Sequence, residues 1–271
     1  MQSHNNVIPP VGLGTFRLQG QTVIDSVRSG IELGYRHIDT AQIYGNEAEV
    51  GQAIVDSGIK RDELFVTTKV WIDNLSRERL IPSLRESLDK LRMDKVDLAL
   101  IHWPSPGDAL PVEQYLTALA EAREAGLTRL IGVSNFTIAQ ADRAIDAIGA
   151  KQIATQQVEI HPFLQNHKLV EHAQRKGIHL TAYMPLAYGK VMSDAVIVDI
   201  ARRHGVSPAQ VALAWSLQQG RAVIPSSTRP DNQRANLAAA LVRLTEEDMT
   251  AIASLDRGER LASPDFAPNW D

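Results

Sequence analysis

Cysteine is absent from the 271 residues, which removes disulfides, thiolate nucleophiles and cysteine-based metal sites together and fits a reducing compartment. No metal site is expected. A charge excess is also missing: 28 basic and 32 acidic residues leave a formal net charge of -4, well mixed along the chain. There is thus no electrostatic footprint for nucleic acid or an anionic membrane, and neither is expected as a partner. No stretch approaches the ~18 apolar residues of a membrane span, and the opening MQSHNNVIPPVGLG has neither the basic nor the apolar region of a secretory signal. The expected address is the cytoplasm. Linkers, low-complexity segments and strong internal repeats are lacking too.

What is present is ordinary globular composition, 44% hydrophobic and 22% charged, in a chain close to the roughly 250 residues of one α/β barrel. One domain over residues 1–271 is expected. Short runs rich in Val, Ile and Leu alternate with helix-period segments, the pattern of repeated βα units around a parallel sheet. The strand candidates are Arg36–Asp39, Leu64–Lys69, Val96–His102, Leu130–Ser134, Thr155–Glu159, Ile178–Tyr183 and Ala222–Pro225. An eighth is expected near Leu241–Leu244, where a helical tail would fit equally well. The fold class is therefore α/β, a single (β/α)8 TIM barrel.

Helix starts are marked by Ser76 before RERLIPSLRESLDKLR, by Thr137 after SNF, and by Ser207-Pro208 before AQVALAWSLQQ. Pro82 inside the first of these predicts a late start or a kink. Two helices, about Asp194–His204 and Pro208–Gln219, separate the sixth and seventh strands. The Gly12 and Gly14 of PPVGLGTFRLQG do not form a GxGxxG dinucleotide loop, because Arg17 stands three beyond Gly14. A hairpin plugging the barrel bottom is expected there instead.

In a parallel barrel the active site lies at the carboxyl ends of the strands, so a polar residue terminating an apolar run points into it. HID stops at Asp39, FVTTK at Lys69, DLALIH at His102 and HLTAY at Tyr183, while Ser134-Asn135 closes LIGV and Ser226-Ser227 closes AVIP. Singly, each has a bland alternative. Asp39 serves equally as a cap, Lys69 as a snorkelling surface lysine, His102 as hydrogen-bonded structure, and Tyr44 or Tyr183 as packing. Their joint occurrence at equivalent positions, with Tyr44 five residues past Asp39, points to one cavity.

The stretch GYRHIDTAQIYGNEAEVG, from Gly34 to Gly51, resembles the signature of the aldo-keto reductase family, and LIHWP and IGVSNF resemble two further family blocks. TKVW, HWPSP, AYMPLAYGK and IPSST are similar to the bacterial 2,5-diketo-gluconate reductase branch. The resemblance implies carbonyl reduction with NADPH, and a catalytic tetrad of Asp39, Tyr44, Lys69 and His102. Tyr44 would be the general acid, with Lys69 drawing its high pKa down, Asp39 holding Lys69, and neutral His102 orienting the substrate oxygen. It also implies nicotinamide contacts from Ser134, Asn135, Gln157 and Tyr183, and Leu186 near the pyrophosphate.

The third family block departs from its usual form. In IPSSTRPDNQRAN the usual lysine is replaced by Ser226, the arginine by Asn232 and the glutamate by Ala235. Ser227 and Asn236 are retained, Thr228 lies between, and Arg229 or Arg234 is expected to take over the 2′-phosphate. Phe16, Trp71 and Trp103, beside the mouth motifs, are expected to wall the substrate pocket. The short sequence after Leu255 predicts little lid surface, a shallow cleft and small polar carbonyl substrates, with Arg260 as a candidate partner for a carboxylate. Two rivals remain: a Schiff-base enzyme using Lys69, and a cofactor-binding regulatory or scaffold subunit on the same fold. A monomer is expected.

Overall fold

The computed structural model describes residues 8–271. Eight parallel strands form one curled sheet in the order of the chain: β1 (Leu13–Gly14), β2 (His37–Asp39), β3 (Phe65–Val70), β4 (Val96–Ile101), β5 (Thr128–Ser134), β6 (Ile153–Glu159), β7 (His179–Tyr183) and β8 (Ala222–Val223). Between them run α1 (Gly20–Leu33), α2 (Glu47–Ser57), α3 (Arg77–Leu91), α4 (Val112–Glu124), α5 (Ile138–Ile148), α6 (His167–Lys176), and the pair α7 (Ala195–His204) and α8 (Pro208–Gln218). The helices α9 (Pro230–Ala238) and α10 (Glu246–Ala253) follow β8.

The seven expected strands form, each within a few residues of its reading. The eighth does not lie near Leu241–Leu244, where a 3-10 turn ends at Leu241. It is β1, which pairs in parallel with β2 through Leu13 opposite Ile38 and Gly14 opposite Asp39. The hairpin expected in residues 9–20 is corrected by the same observation. Gly12 and Gly14 are needed for close approach: a Cβ on Gly14 would lie 2.8 Å from the Ile224 carbonyl oxygen. Their bare backbones donate to Val223 and Pro225 at 2.8 and 3.0 Å, Val223 donates to Pro10 at 2.8 Å, and Val11 bridges Val223 in parallel.

Strand periodicity sets the layers. On β3, Phe65, Thr67 and Lys69 share one face while Val66 and Val70 join the core beneath the helices; on β4, Leu98, Leu100 and His102 alternate with Ala99 and Ile101. Phe65, Leu98 and Leu100 cluster with Ile8, Ala154 and Ala222, while the buried polar groups among them are paired, His37 with Thr67 and Thr155 with His179 and Thr181. The caps at Thr137 and Ser207 form as expected, each a reciprocal box with the glutamine three residues on. Ser76 occupies its N-cap position without a capping bond from its side chain, and α3 begins at Arg77 and runs through Pro82, so the late start is not observed. The stripe Leu80, Leu84, Leu88 and Leu91, buried against the sheet, offsets the one backbone bond proline removes.

Candidate active site

Three side chains expected at separate strand ends, and Tyr44 from the loop after the first of them, meet at the carboxyl end of the sheet. Asp39 closes β2, Lys69 is the penultimate residue of β3, His102 follows β4, and Tyr44 sits on a 3-10 turn, Gln42–Tyr44. Lys69 Nζ donates to Asp39 Oδ1 at 2.5 Å, to the Thr40 carbonyl at 2.9 Å and to Tyr44 Oη at 3.3 Å. Its three hydrogens are thereby all directed to partners. Asp39 Oδ2 accepts from Gln157 Nε2 at 2.8 Å. Ser134 Oγ donates to the Gln157 carbonyl at 2.8 Å, Asn135 Nδ2 donates to Ser134 Oγ and to the His102 carbonyl, and Tyr183 Oη donates to Asn135 Oδ1 at 2.7 Å. Asn135 stands at φ 61°, a left-handed position that asparagine tolerates. One connected network thus runs from Tyr44 to Tyr183.

The turn carrying Tyr44 is held by residues that sequence reasoning did not single out. Gln42 donates to Ser83 and Ser87 and accepts from Trp71 N–H at 2.8 Å and from Asn74. Asn46 donates to the Thr15 and Leu18 carbonyls and accepts from Thr40, and Gln19 donates to the Tyr44 carbonyl at 2.7 Å. The only sequence signal was a cluster of amide side chains around a tyrosine, and their partners lie up to 45 residues away.

Burial works against the Lys69 ammonium, but Asp39 and Tyr44 outweigh it and its pKa is raised. Burial pushes the Tyr44 phenol up and Lys69 only partly opposes this, so the expected lowering of Tyr44 is corrected. Burial, with Lys69 adding to it, holds His102 well below the ordinary imidazole value. His102 is neutral at pH 7. Its Nδ1 has no hydrogen-bond partner, and its ring meets those of Tyr44 and Trp71 edge-on at 5.7 and 5.3 Å.

Asp39, Tyr44 and His102 line a cavity of about 770 Å³, with Lys69 buried behind them, within the size range of small-molecule sites. Phe16, Trp71 and Trp103 line one side, and Ser134, Asn135, Gln157, Tyr183, Leu186 and Ser226 also face the cavity. Ser227, Thr228, Arg229 and Asn236 do not line it. The Ser227 carbonyl accepts from Ser26 and Gln233, its hydroxyl accepts from the Arg229 N–H at 3.1 Å, and Arg229 is the exposed N-cap residue of α9. Thr228 and Arg234 are exposed and Asn236 is buried.

The short tail contributes to the cavity wall. Leu261, Ala262, Ser263, Pro264 and Phe266 line the cavity, and the Phe266 ring packs edge-on against Trp71 at 5.6 Å and Trp103 at 5.5 Å. A short tail suffices because aromatic contacts hold it across the opening. Arg260 is not at the cavity: it donates to Asn166 Oδ1 at 3.0 Å and lies 3.7 Å over the Trp270 ring.

Comparison with known proteins finds similar chains over nearly the whole length. Methylglyoxal reductase DkgB of Salmonella typhimurium is 58% identical over 265 residues, covering 97% of this chain and 99% of that protein. Methylglyoxal reductase DkgA of Escherichia coli K12 is 38% identical over 261 residues, covering 94% and 92%. A crystal structure provisionally assigned as a 2,5-diketo-D-gluconic acid reductase B matches with a TM-score of 0.95 at 45% identity, covering 99% of this chain and 96% of that one. Aldose reductase from Schistosoma japonicum matches with a TM-score of 0.90 at 32% identity, covering 96% and 95%. The family model for the aldo/keto reductase family matches residues 10–257. This chain belongs to the aldo/keto reductase family.

Proposed function

We propose that the protein is an NADPH-dependent reductase of small aldehydes and ketones, methylglyoxal and keto sugar acids among them, working on a closed (β/α)8 barrel. The Val11–Val223 bridge and the backbone bonds around it support closure. The observation that carries the catalytic reading is Tyr44 Oη, 3.3 Å from a Lys69 ammonium anchored by Asp39, at the floor of a cavity of matching size. The names of the similar reductases support methylglyoxal and diketo-gluconate as substrates.

A nicotinamide bound in this cavity would supply hydride to the carbonyl carbon. The donors present fit such a group: Ser134, Asn135 and Gln157 offer amide and hydroxyl contacts for a carboxamide, and the Tyr183 ring offers a flat wall. Arg229, exposed at the N-terminus of α9, is the cation we assign to a 2′-phosphate, since a helix start favours an anion. Charge then develops on the substrate oxygen. Tyr44 Oη gives that oxygen its proton, and Lys69 stabilises the phenolate left behind, a stabilisation that grows as the proton leaves. Neutral His102 donates a hydrogen bond that orients the oxygen. A Schiff-base role for Lys69 is disfavoured, since a nucleophilic amine needs a free lone pair and this ammonium is fully paired.

The test is NADPH oxidation across methylglyoxal, a diketo sugar acid, a medium-chain aldehyde and a 3-ketosteroid, with Tyr44→Phe as the control. Small carbonyls are expected to lead and Tyr44→Phe to bind cofactor while losing nearly all turnover. Retention of more than about a tenth of kcat, a barrier change under ~1.4 kcal/mol, would remove Tyr44 as the acid.

A further inference from the structure

We propose that Glu159, at the carboxyl end of β6, is a positioning residue that sets the substrate-size selectivity of the cavity by fastening residues 261–266 as its wall. The proposal rests on the reading of that cavity as the substrate site. Glu159 is 0% exposed, yet it neither lines the cavity nor hydrogen-bonds Tyr44, Lys69, Asp39 or His102. Its carboxylate meets two tail amides and one histidine. Oε1 accepts from the Leu261 N–H at 2.7 Å and Oε2 from the Ala262 N–H at 2.8 Å, while His161 Nε2 approaches Oε1 at 2.9 Å.

Two consecutive backbone amides held by one carboxylate fix both the position and the direction of the chain. This matters because residues 256–271 contain no helix or strand to satisfy their amides. A second tie converges on the same residue: Arg260 donates to Asn166 Oδ1, and Asn166 Nδ2 donates to the Glu159 carbonyl at 2.6 Å. The fastened residues are themselves wall. Leu261 and Ala262 line the cavity, and four positions on Phe266 closes it against Trp71 and Trp103. A loosened anchor therefore withdraws contact from small substrates and gives room to large ones, without touching the groups that move the proton.

The experiment uses the full chain with E159Q, which keeps the size of the side chain but presents an amide NH2 where an acceptor stood. Steady-state kinetics with methylglyoxal and a naphthaldehyde are combined with hydrogen exchange at residues 261–266. Losing one charge-assisted acceptor predicts a shift of about tenfold in the ratio of kcat/KM values toward the larger aldehyde. The change should lie in KM, with methylglyoxal kcat nearly unchanged and protection of the Leu261 and Ala262 amides reduced. F266A should reproduce the selectivity shift, and E159Q should add little to it. Equal losses for both aldehydes, an undiminished E159Q effect on the F266A background, or unprotected Leu261 and Ala262 amides in the wild type would overturn the proposal. If E159Q does not fold, E159D, which pulls the anchor inward by one methylene, is read by the same measures. Should the wild type reduce neither aldehyde, the reductase reading fails, while the exchange data still decide whether Glu159 holds the tail.

Discussion

Asp39 and Lys69 form an ion pair at 2.5 Å with side chains only 2% and 1% exposed, and each also holds a second group, Gln157 for Asp39 and Tyr44 for Lys69. Such a pair is costly to break from one side, since the partner is left charged in a dry site.

Asp39→Asn and Lys69→Met are therefore each expected to destabilise the fold by about 3–5 kcal/mol. The double variant should lose less than the sum, because no uncompensated charge remains. Urea unfolding of the four proteins gives the cycle. Strict additivity would show that the two residues are energetically independent.

Acid should weaken the fold through buried histidine. His102 and His37 are both held below the ordinary imidazole value, burial being the largest cause in each, so the unfolded chain takes up protons first as pH falls. Their contribution is complete above about pH 6.5 and is lost progressively below it, toward the depressed folded values. Thermal melts between pH 7.5 and 5 should show this slope, and His102→Asn should flatten it. A variant whose midpoint tracks the wild type at every pH would place the acid sensitivity elsewhere.

Cofactor choice is expected to depend on Arg229. Its side chain is exposed at the start of α9 and enters no ion pair with the described residues. Removing one charge-assisted phosphate contact costs roughly 1.5–3 kcal/mol, so Arg229→Ala should raise the Kd for NADPH more than tenfold and leave NADH binding nearly unchanged. Arg234→Ala is the comparison. Fluorescence titration with both cofactors decides the point, and matched losses for NADPH and NADH would make Arg229 structural.

Most of the site was legible because a buried parallel strand announces itself by its apolar run and ends where a polar residue appears. Asp39, Lys69 and His102 could each be read that way, and Thr137 and Ser207 could be read as caps from their place before helix-period segments, Ser207 with a proline after it. β1 was not legible. Two residues with glycine on either side of Leu13 carry no period, and its place follows from hydrogen bonds to residues more than two hundred positions away. The same holds for Gln42 and Asn46, whose roles are defined by partners rather than by neighbours.

The sequence by itself determined the α/β class, the strand ends that bear function and the resemblance to a reductase family, since these depend on local periodicity and on residue order. Only the tertiary structure decided that burial outweighs Lys69 in raising Tyr44, that Arg260 belongs to Asn166 and Trp270 rather than to a substrate, and that a short tail walls the cavity. The reason is physical. Desolvation and packing depend on which atoms exclude water around a group, and those atoms come from segments that no local reading of the chain places together.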